Sequence, residues 1–164
     1  MKNKDRKNKG FTLVEALIAI FVIALTIVAL MVSSQAFTMA NASGVDMSTA
    51  EFLIEEIREL TAVMPVIDPQ TGTDVFGSET GETLTLYDDL DDFDNAAFSP
   101  PIDINRAQLT NYSGFTQQIT VHNVSPSNYR NIVMDHTSDF VKVTVAILLD
   151  GQQLSSTTWI RARQ

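Results

Sequence analysis

Gly10-Phe11-Thr12-Leu13-Val14-Glu15-Ala16-Leu17-Ile18-Ala19-Ile20 opens the longest apolar run of this 164-residue chain, which continues to Val32. From Phe11 to Val32 the run has 22 residues. At about 1.5 Å per residue it predicts a helix of roughly 33 Å, enough to cross a hydrocarbon core of about 30 Å. Only Glu15 is charged within it. Thr12 and Thr26 can return their hydroxyls to the helix backbone, but a carboxylate in a membrane helix costs on the order of 2.5–3.5 kcal/mol and needs a reason to be there.

Charge is divided as sharply as hydrophobicity. Lys2, Lys4, Arg6, Lys7 and Lys9 are five of the eleven basic residues and face a single acid, Asp5. Without residues 1–10 the chain keeps six basic and nineteen acidic side chains, a net of −13. A body that acidic repels phosphates, so no nucleic-acid partner is expected. The basic cluster holds its end of the apolar span in the cytoplasm. With no cysteine in the chain, disulfides, zinc-thiolate sites and cysteine nucleophiles are excluded.

Three readings compete for this front end. A secretory signal peptide cut near Ala40-Asn41-Ala42 is disfavoured, because its apolar region spans about 7–15 residues and this one is longer. A plain membrane anchor leaves Glu15 near the cytoplasmic end, its side chain reaching water. The third reading takes basic residues, Gly10, Phe11, Glu15 and the uninterrupted apolar run as one motif, covering about the first 30 residues. That motif closely resembles the prepilin signature of type IV pilins and type II secretion pseudopilins. The resemblance implies cleavage between Gly10 and Phe11 by a prepilin peptidase and N-methylation of Phe11, with the apolar helix retained. It also implies that Glu15 meets the N-terminal amine of a neighbouring pilin or pseudopilin subunit during assembly. Gly10 suits the cut by letting the chain thread closely through a protease.

Beyond Val32 the helix is expected to continue, with Gly44 interrupting or bending it at a cost of about 1 kcal/mol. Leu53, Ile57, Leu60 and Met64 then form an apolar stripe among Glu51, Glu55, Glu56, Arg58 and Glu59, which predicts one face packed on a sheet. Pro65 and Pro69 end the helix, giving a spine from about Phe11 to Val63, roughly 80 Å if unbroken.

Residues 66–112 read as loop, apart from a short strand candidate at Thr83–Tyr87. No Lys or Arg occurs between Arg58 and Arg106, while Asp88, Asp89, Asp91, Asp92 and Asp94 crowd together. These five are candidates for a calcium site, since a hard cation takes several carboxylate oxygens and relieves their repulsion. Their spacing departs from a standard calcium loop: Phe93 stands where a further oxygen ligand is needed. The alternative is a solvated acidic loop that holds no cofactor.

Strands are predicted at Phe115–Val121, Phe140–Leu149 and Leu154–Ala162. The last two are joined by Asp150-Gly151, a two-residue hairpin signal. Asp135-His136-Thr137-Ser138-Asp139 offers acid, base and hydroxyl but reads as a polar turn, because catalytic triads assemble from separate parts of a fold. His122 is the other histidine. Trp159 reads as a core residue, and no catalytic group is expected.

The expected fold is α+β, a long N-terminal helix, membrane-spanning in its first half, packed on a small antiparallel head. The expected organisation is a basic leader at 1–10, an assembly helix at 11–32, an amphipathic continuation at 33–64 and a head at 65–164. In size and head pattern the chain resembles PilV-like minor pilins. The implied role is a non-enzymatic filament subunit, inserted in the inner membrane with its N-terminus cytoplasmic and its head periplasmic before it enters a filament. The rival is a membrane-tethered periplasmic binding or enzymatic domain with a plain anchor.

Overall fold

The computed structural model describes residues 10–70, 72 and 75–163; the basic residues of the expected leader, 1–9, lie outside them. The chain divides into two compact units, 1–44 and 45–164. Helix α1, Leu13–Ala62, contributes residues to both.

In the first unit every described residue is exposed. Helical hydrogen bonding runs through Gly44 without interruption, contrary to the break expected there. A methyl group at Gly44 would meet nothing within 4 Å. Its only penalty is therefore backbone entropy, too small to end a helix of this length.

The second unit is a helix on a sheet. Ala50, Leu53, Ile54, Ile57, Leu60 and Thr61 are the buried residues of α1, a spacing of three and four that lines one helical face. All four positions of the expected stripe, Leu53, Ile57, Leu60 and Met64, are buried. Opposite them stand Ile119 and Val121 of β2 (Phe115–Ser125) and Val141, Val143, Val145 and Ile147 of β4 (Phe140–Leu149). The strict alternation of buried and half-exposed residues along β4 is the period of two that puts one sheet face on the helix.

The antiparallel sheet is ordered β1-β2-β4-β5, with β1 at Ala97–Phe98 and β5 at Gln152–Ala162. A fifth strand, β3 (Asn128–Ile132), pairs with the far end of β2. Asp150 and Gly151 both take positive φ, 49° and 81°, and close the β4–β5 hairpin with the expected two-residue turn. Trp159 sits across from Val143 and packs half-buried against the core, with the Arg58 guanidinium 5.0 Å from its ring centre.

Two polar side chains tie the layers together. Gln117 is fully buried: its Oε1 accepts the Ile102 N–H at 2.8 Å, and its Nε2 donates to Leu53 O at 2.9 Å and Ile102 O at 3.1 Å. One amide thus joins sheet, helix and loop. Arg161 of β5 donates to Thr61 O at 2.6 Å and Met64 O at 3.1 Å. It supplies a cation to the negative end of α1, whose own last turn carries no basic residue.

The expected strand at Thr83–Tyr87 is instead a turn, with Leu86 N–H and Tyr87 N–H both donating to Thr83 O. Its carbonyls have found another partner, because Arg106 donates to Leu84 O, Thr85 O and Tyr87 O. The stretch expected to be loop also holds β1 and two single-turn 3-10 helices, Asp91–Phe93 and Thr110–Tyr112.

Replacing Gln117 with Met keeps the volume but strands the Ile102 N–H in the core. Thermal melts of Gln117→Met are expected to show a loss of about 2–3 kcal/mol. An unchanged midpoint would show that the amide holds nothing.

Candidate functional site

At the N-terminus the helix begins where its backbone donors first find a partner. Thr12 precedes α1, and its Oγ1 accepts the Glu15 N–H at 3.2 Å, while its carbonyl accepts the Ala16 N–H at 3.2 Å. This is the geometry of an N-cap. Thr12-x-x-Glu15 is also the sequence pattern of a capping box, a signal that the length of the apolar run overshadows. Thr26 does return its hydroxyl to the backbone, at Ile23 O, 2.7 Å away. Glu15 lies in the first turn, where an anion is favoured by the positive end of the helix dipole.

Around these polar groups everything is apolar and uncovered. Fifteen large apolar side chains from Phe11 to Val32 are exposed, Phe11 itself by 82%. Burying one such side chain is worth about 1.5–3 kcal/mol, so the group represents on the order of tens of kcal/mol in water. A folded domain has a net stability of only about 5–15 kcal/mol. The helix therefore needs lipid or other helices around it, and its apolar stretch is long enough to cross a membrane. Gly10 is exposed, and even a methyl group added to its Cα would meet no atom within 4 Å, so the Gly10–Phe11 bond is open to an approaching protein.

The five aspartates of the acidic stretch do not act as one group. Asp88 Oδ2 accepts from Gln70 Nε2 at 2.8 Å. Asp94 Oδ1 accepts the Val121 N–H at 2.8 Å and so caps the free edge of β2. The other three, Asp89, Asp91 and Asp92, are at most 3% exposed, which is not the solvated loop considered from sequence. Leu90 and Phe93, both fully buried in the core, draw the loop inward and take the neighbouring carboxyls with them. The loop's own amides partly compensate. Asp92 Oδ2 accepts the N–H groups of Asp88 and Asp89, Asp89 Oδ1 accepts that of Asp92, and Asp91 Oδ2 accepts that of Gly77.

Burial raises Asp89 to about 9, reinforced by its hydrogen bond to and repulsion from Asp91. Asp91 is also raised by burial, which outweighs the lowering by Asp89, by the Gly77 N–H and by the His136 charge. Burial raises Asp92 against the N–H groups of Asp89 and Asp88. Glu82, which nothing in the sequence singles out, is raised to about 7 by desolvation, which outweighs the lowering by the Glu79 N–H and is reinforced by the Glu79 side chain and by Asp92. No local pattern marks Glu79 and Glu82 as neighbours of Asp92; the fold brings them there.

The Asp135–Asp139 segment is a turn. His136 Nε2 lies 2.9 Å from Val75 O, and the His136 N–H donates to Asn123 Oδ1. Asn123 Nδ2 in turn donates to Ser138 O and Phe140 O. His122 is on the outer face of β2, across from Lys142.

Residues 5–31 match the family model described as the prokaryotic N-terminal methylation motif. That match contains Gly10, Phe11, Thr12 and Glu15. Comparison with curated proteins and with solved structures gives no match. The front end is thus type IV pilin-like: a methylation motif on an exposed apolar helix that runs on into an α+β head.

The raised carboxyls set the sign of a pH effect. A carboxyl whose folded-state pKa lies above its unfolded value contributes stability that is fully present below the unfolded value and is lost as pH rises through the folded one. For Asp89 that window runs from its ordinary value of 3.8 to about 9. With a chelator present, the melting temperature of the full chain in detergent is expected to fall between pH 5 and pH 9, and Asp89→Asn to flatten the fall. A midpoint that is level or rising over that range in the unsubstituted protein contradicts the assignment.

Proposed function

We propose that this chain is a filament subunit of the minor pilin or pseudopilin kind, a structural component rather than an enzyme. A prepilin peptidase cuts it between Gly10 and Phe11 and the new Phe11 amine is N-methylated. It waits in the inner membrane with its N-terminus cytoplasmic and its head periplasmic, then leaves the membrane by lateral packing of the apolar helices of neighbouring subunits. The observation that carries this reading is Glu15, the single carboxylate in the exposed apolar stretch of α1, placed inside the matched methylation motif.

The chemistry of the cut supports it. Cleavage creates an ammonium group on Phe11, one residue before the Thr12 cap, beside the positive end of α1. A cation there is unfavourable unless an acid answers it, and Glu15 is unfavourable in lipid unless a cation answers it. Pairing Glu15 of one subunit with the amine of the next resolves both. A subunit out of register then leaves two charges unpaired in an apolar surrounding, so the pair sets axial position. Among such subunits the size and the four-strand core of the head favour a PilV-like minor pilin.

Glu15→Ala tests this. The variant is expected to be inserted and cleaved normally but to enter filaments about a hundredfold less than wild type. This follows from the roughly 3 kcal/mol penalty of leaving one partner of a buried pair alone. The measurement is quantitative immunoblotting of purified filaments against the membrane pool. Incorporation at the wild-type level would refute the pairing role.

A further inference from the structure

The two edges of the sheet are finished differently. On one side the outward backbone of β2 is met step by step. β1 pairs with Gln117 and Gln118, and the Ile119 N–H donates to Ala96 O at 2.9 Å. The Val121 N–H donates to Asp94 Oδ1, Asn123 O accepts the Val133 N–H at 3.0 Å, and β3 pairs with Val124 and Ser125. The other side ends in β5, and among the described residues no strand lies beyond it. The alternation of an antiparallel ladder shows which of its groups are left over. Ile119 and Val121 turn their N–H groups away from β4, so Thr120 and His122 are the residues that exchange bonds with Thr144 and Lys142. Val141, Val143, Val145 and Ile147 then direct their backbone to β5, opposite Arg161, Trp159, Thr157 and Ser155. The intervening Ser156, Thr158, Ile160 and Ala162 therefore direct their N–H and C=O groups to the open edge, where none of the described residues bonds to them.

Sheet edges are ordinarily blunted by proline, lysine, a bulge or short length. From Ser155 to Ala162 the pairing with β4 has no bulge, and the stretch holds no proline, lysine, glycine or acid. Its one charge, Arg161, is bound to the end of α1. At about 3.4 Å per residue these residues offer an open edge of roughly 27 Å. Charge is a second, separate observation. Beyond residue 10 the chain is net −13, yet residues 152–164 carry Arg161 and Arg163 and no acid. Among the described residues the Arg163 side chain has no hydrogen bond or ion pair. Both arginines and Ala162 line an open pocket of about 740 Å³, whose walls include Met64, Val66 and Asp68. Asp68 is 8% exposed and accepts the Gln70 N–H, so the free charge at this end of the edge is the cation of Arg163.

We propose that β5 accepts an extended segment of a partner protein as an additional antiparallel strand, and that this segment carries carboxylates at its N-terminal end. Each of Ser156, Thr158, Ile160 and Ala162 offers it one donor and one acceptor, and these main-chain bonds supply the affinity. Antiparallel pairing brings the N-terminal end of the added strand beside the C-terminal end of β5, so acids there meet Arg163 and fix its direction. The β5 edge of a second copy is a poorer occupant, because it is itself free of acids and brings none to Arg163. This surface is built from head residues alone and does not depend on the filament role proposed above.

The test uses the full-length chain in detergent and a synthetic peptide of two aspartates followed by alternating threonine and valine. Saturable binding is expected below about 1 mM, with slowed hydrogen exchange at the amides of Ser156, Thr158 and Ile160. Thr158→Pro removes one outward N–H and leaves the ladder to β4 intact. It is expected to melt cooperatively and to bind the peptide about tenfold more weakly. Thr158→Val, which also loses the hydroxyl bonded to Thr144 but keeps the N–H, is expected to bind like wild type. Arg163→Glu is expected to weaken binding about fivefold. The same peptide N-methylated throughout keeps its side chains but has no donors, and no binding is expected; this control holds even if Thr158→Pro fails to fold. No saturable binding to the unsubstituted chain overturns the proposal, as does binding of the N-methylated peptide or full affinity in a folded Thr158→Pro. A chain that sediments as a dimer without peptide, and as a monomer when Thr158→Pro is introduced, also overturns it, since the occupant would then be a second copy.

Discussion

The apolar side chains from Phe11 to Val32 have no cover within the described structure, and the free energy of leaving them in water exceeds what a domain of this size gains by folding. The other features of the chain follow from that imbalance. The helix has to be solvated by lipid or by its own kind, and both surroundings exclude water. In such surroundings a single carboxylate becomes a strong positional signal, because an unpaired charge costs several kcal/mol while the surrounding apolar contacts are interchangeable. Under the proposed pairing, Glu15 would carry positional information that the fifteen large apolar residues do not.

Farther along the same helix the pattern changes from apolar all round to one apolar stripe, and the role changes with it. From Ala50 onward the buried positions repeat every three to four residues, and the sheet covers them. The head holds this helix with directional bonds as well as area, through the Gln117 amide at Leu53 O and the Arg161 guanidinium at the last turn. Buried polar groups that are fully partnered, as Gln117 is, fix a unique arrangement. The Asp89–Asp92 segment is the contrasting case, where burial runs ahead of pairing and leaves Asp91 Oδ1 without a donor.

Long periodic signals were legible in the sequence. The length of the apolar run, the Leu53, Ile57, Leu60 and Met64 stripe, the valine alternation of β4 and the Asp150-Gly151 turn all report local geometry, and each is present in the structure. Elements that depend on distant partners were not. β3 is exposed at all five positions and shows no alternation. β1 is too short to carry a pattern, and β2 extends four residues beyond the predicted Val121 because His122 and Asn123 still pair with β4 and Val124 and Ser125 pair with β3. Thr83–Tyr87 has the alternation of a strand but is folded into a turn by Arg106, some twenty residues away. The acids Asp89, Asp91 and Asp92 looked like surface, and only the depth of Leu90 and Phe93 shows otherwise. The Thr12 cap was in plain view as Thr-x-x-Glu before an apolar run.

In the proposed function the cut unites the front end: it would remove the basic residues, create the amine that balances Glu15 and leave the acidic head attached to its helix. Mass spectrometry of the N-terminal peptide from membrane-extracted mature protein reads this directly. The account predicts a chain beginning with N-methylated Phe11. A chain beginning at Met1, or at Ser43 after a signal-peptidase cut, would contradict it.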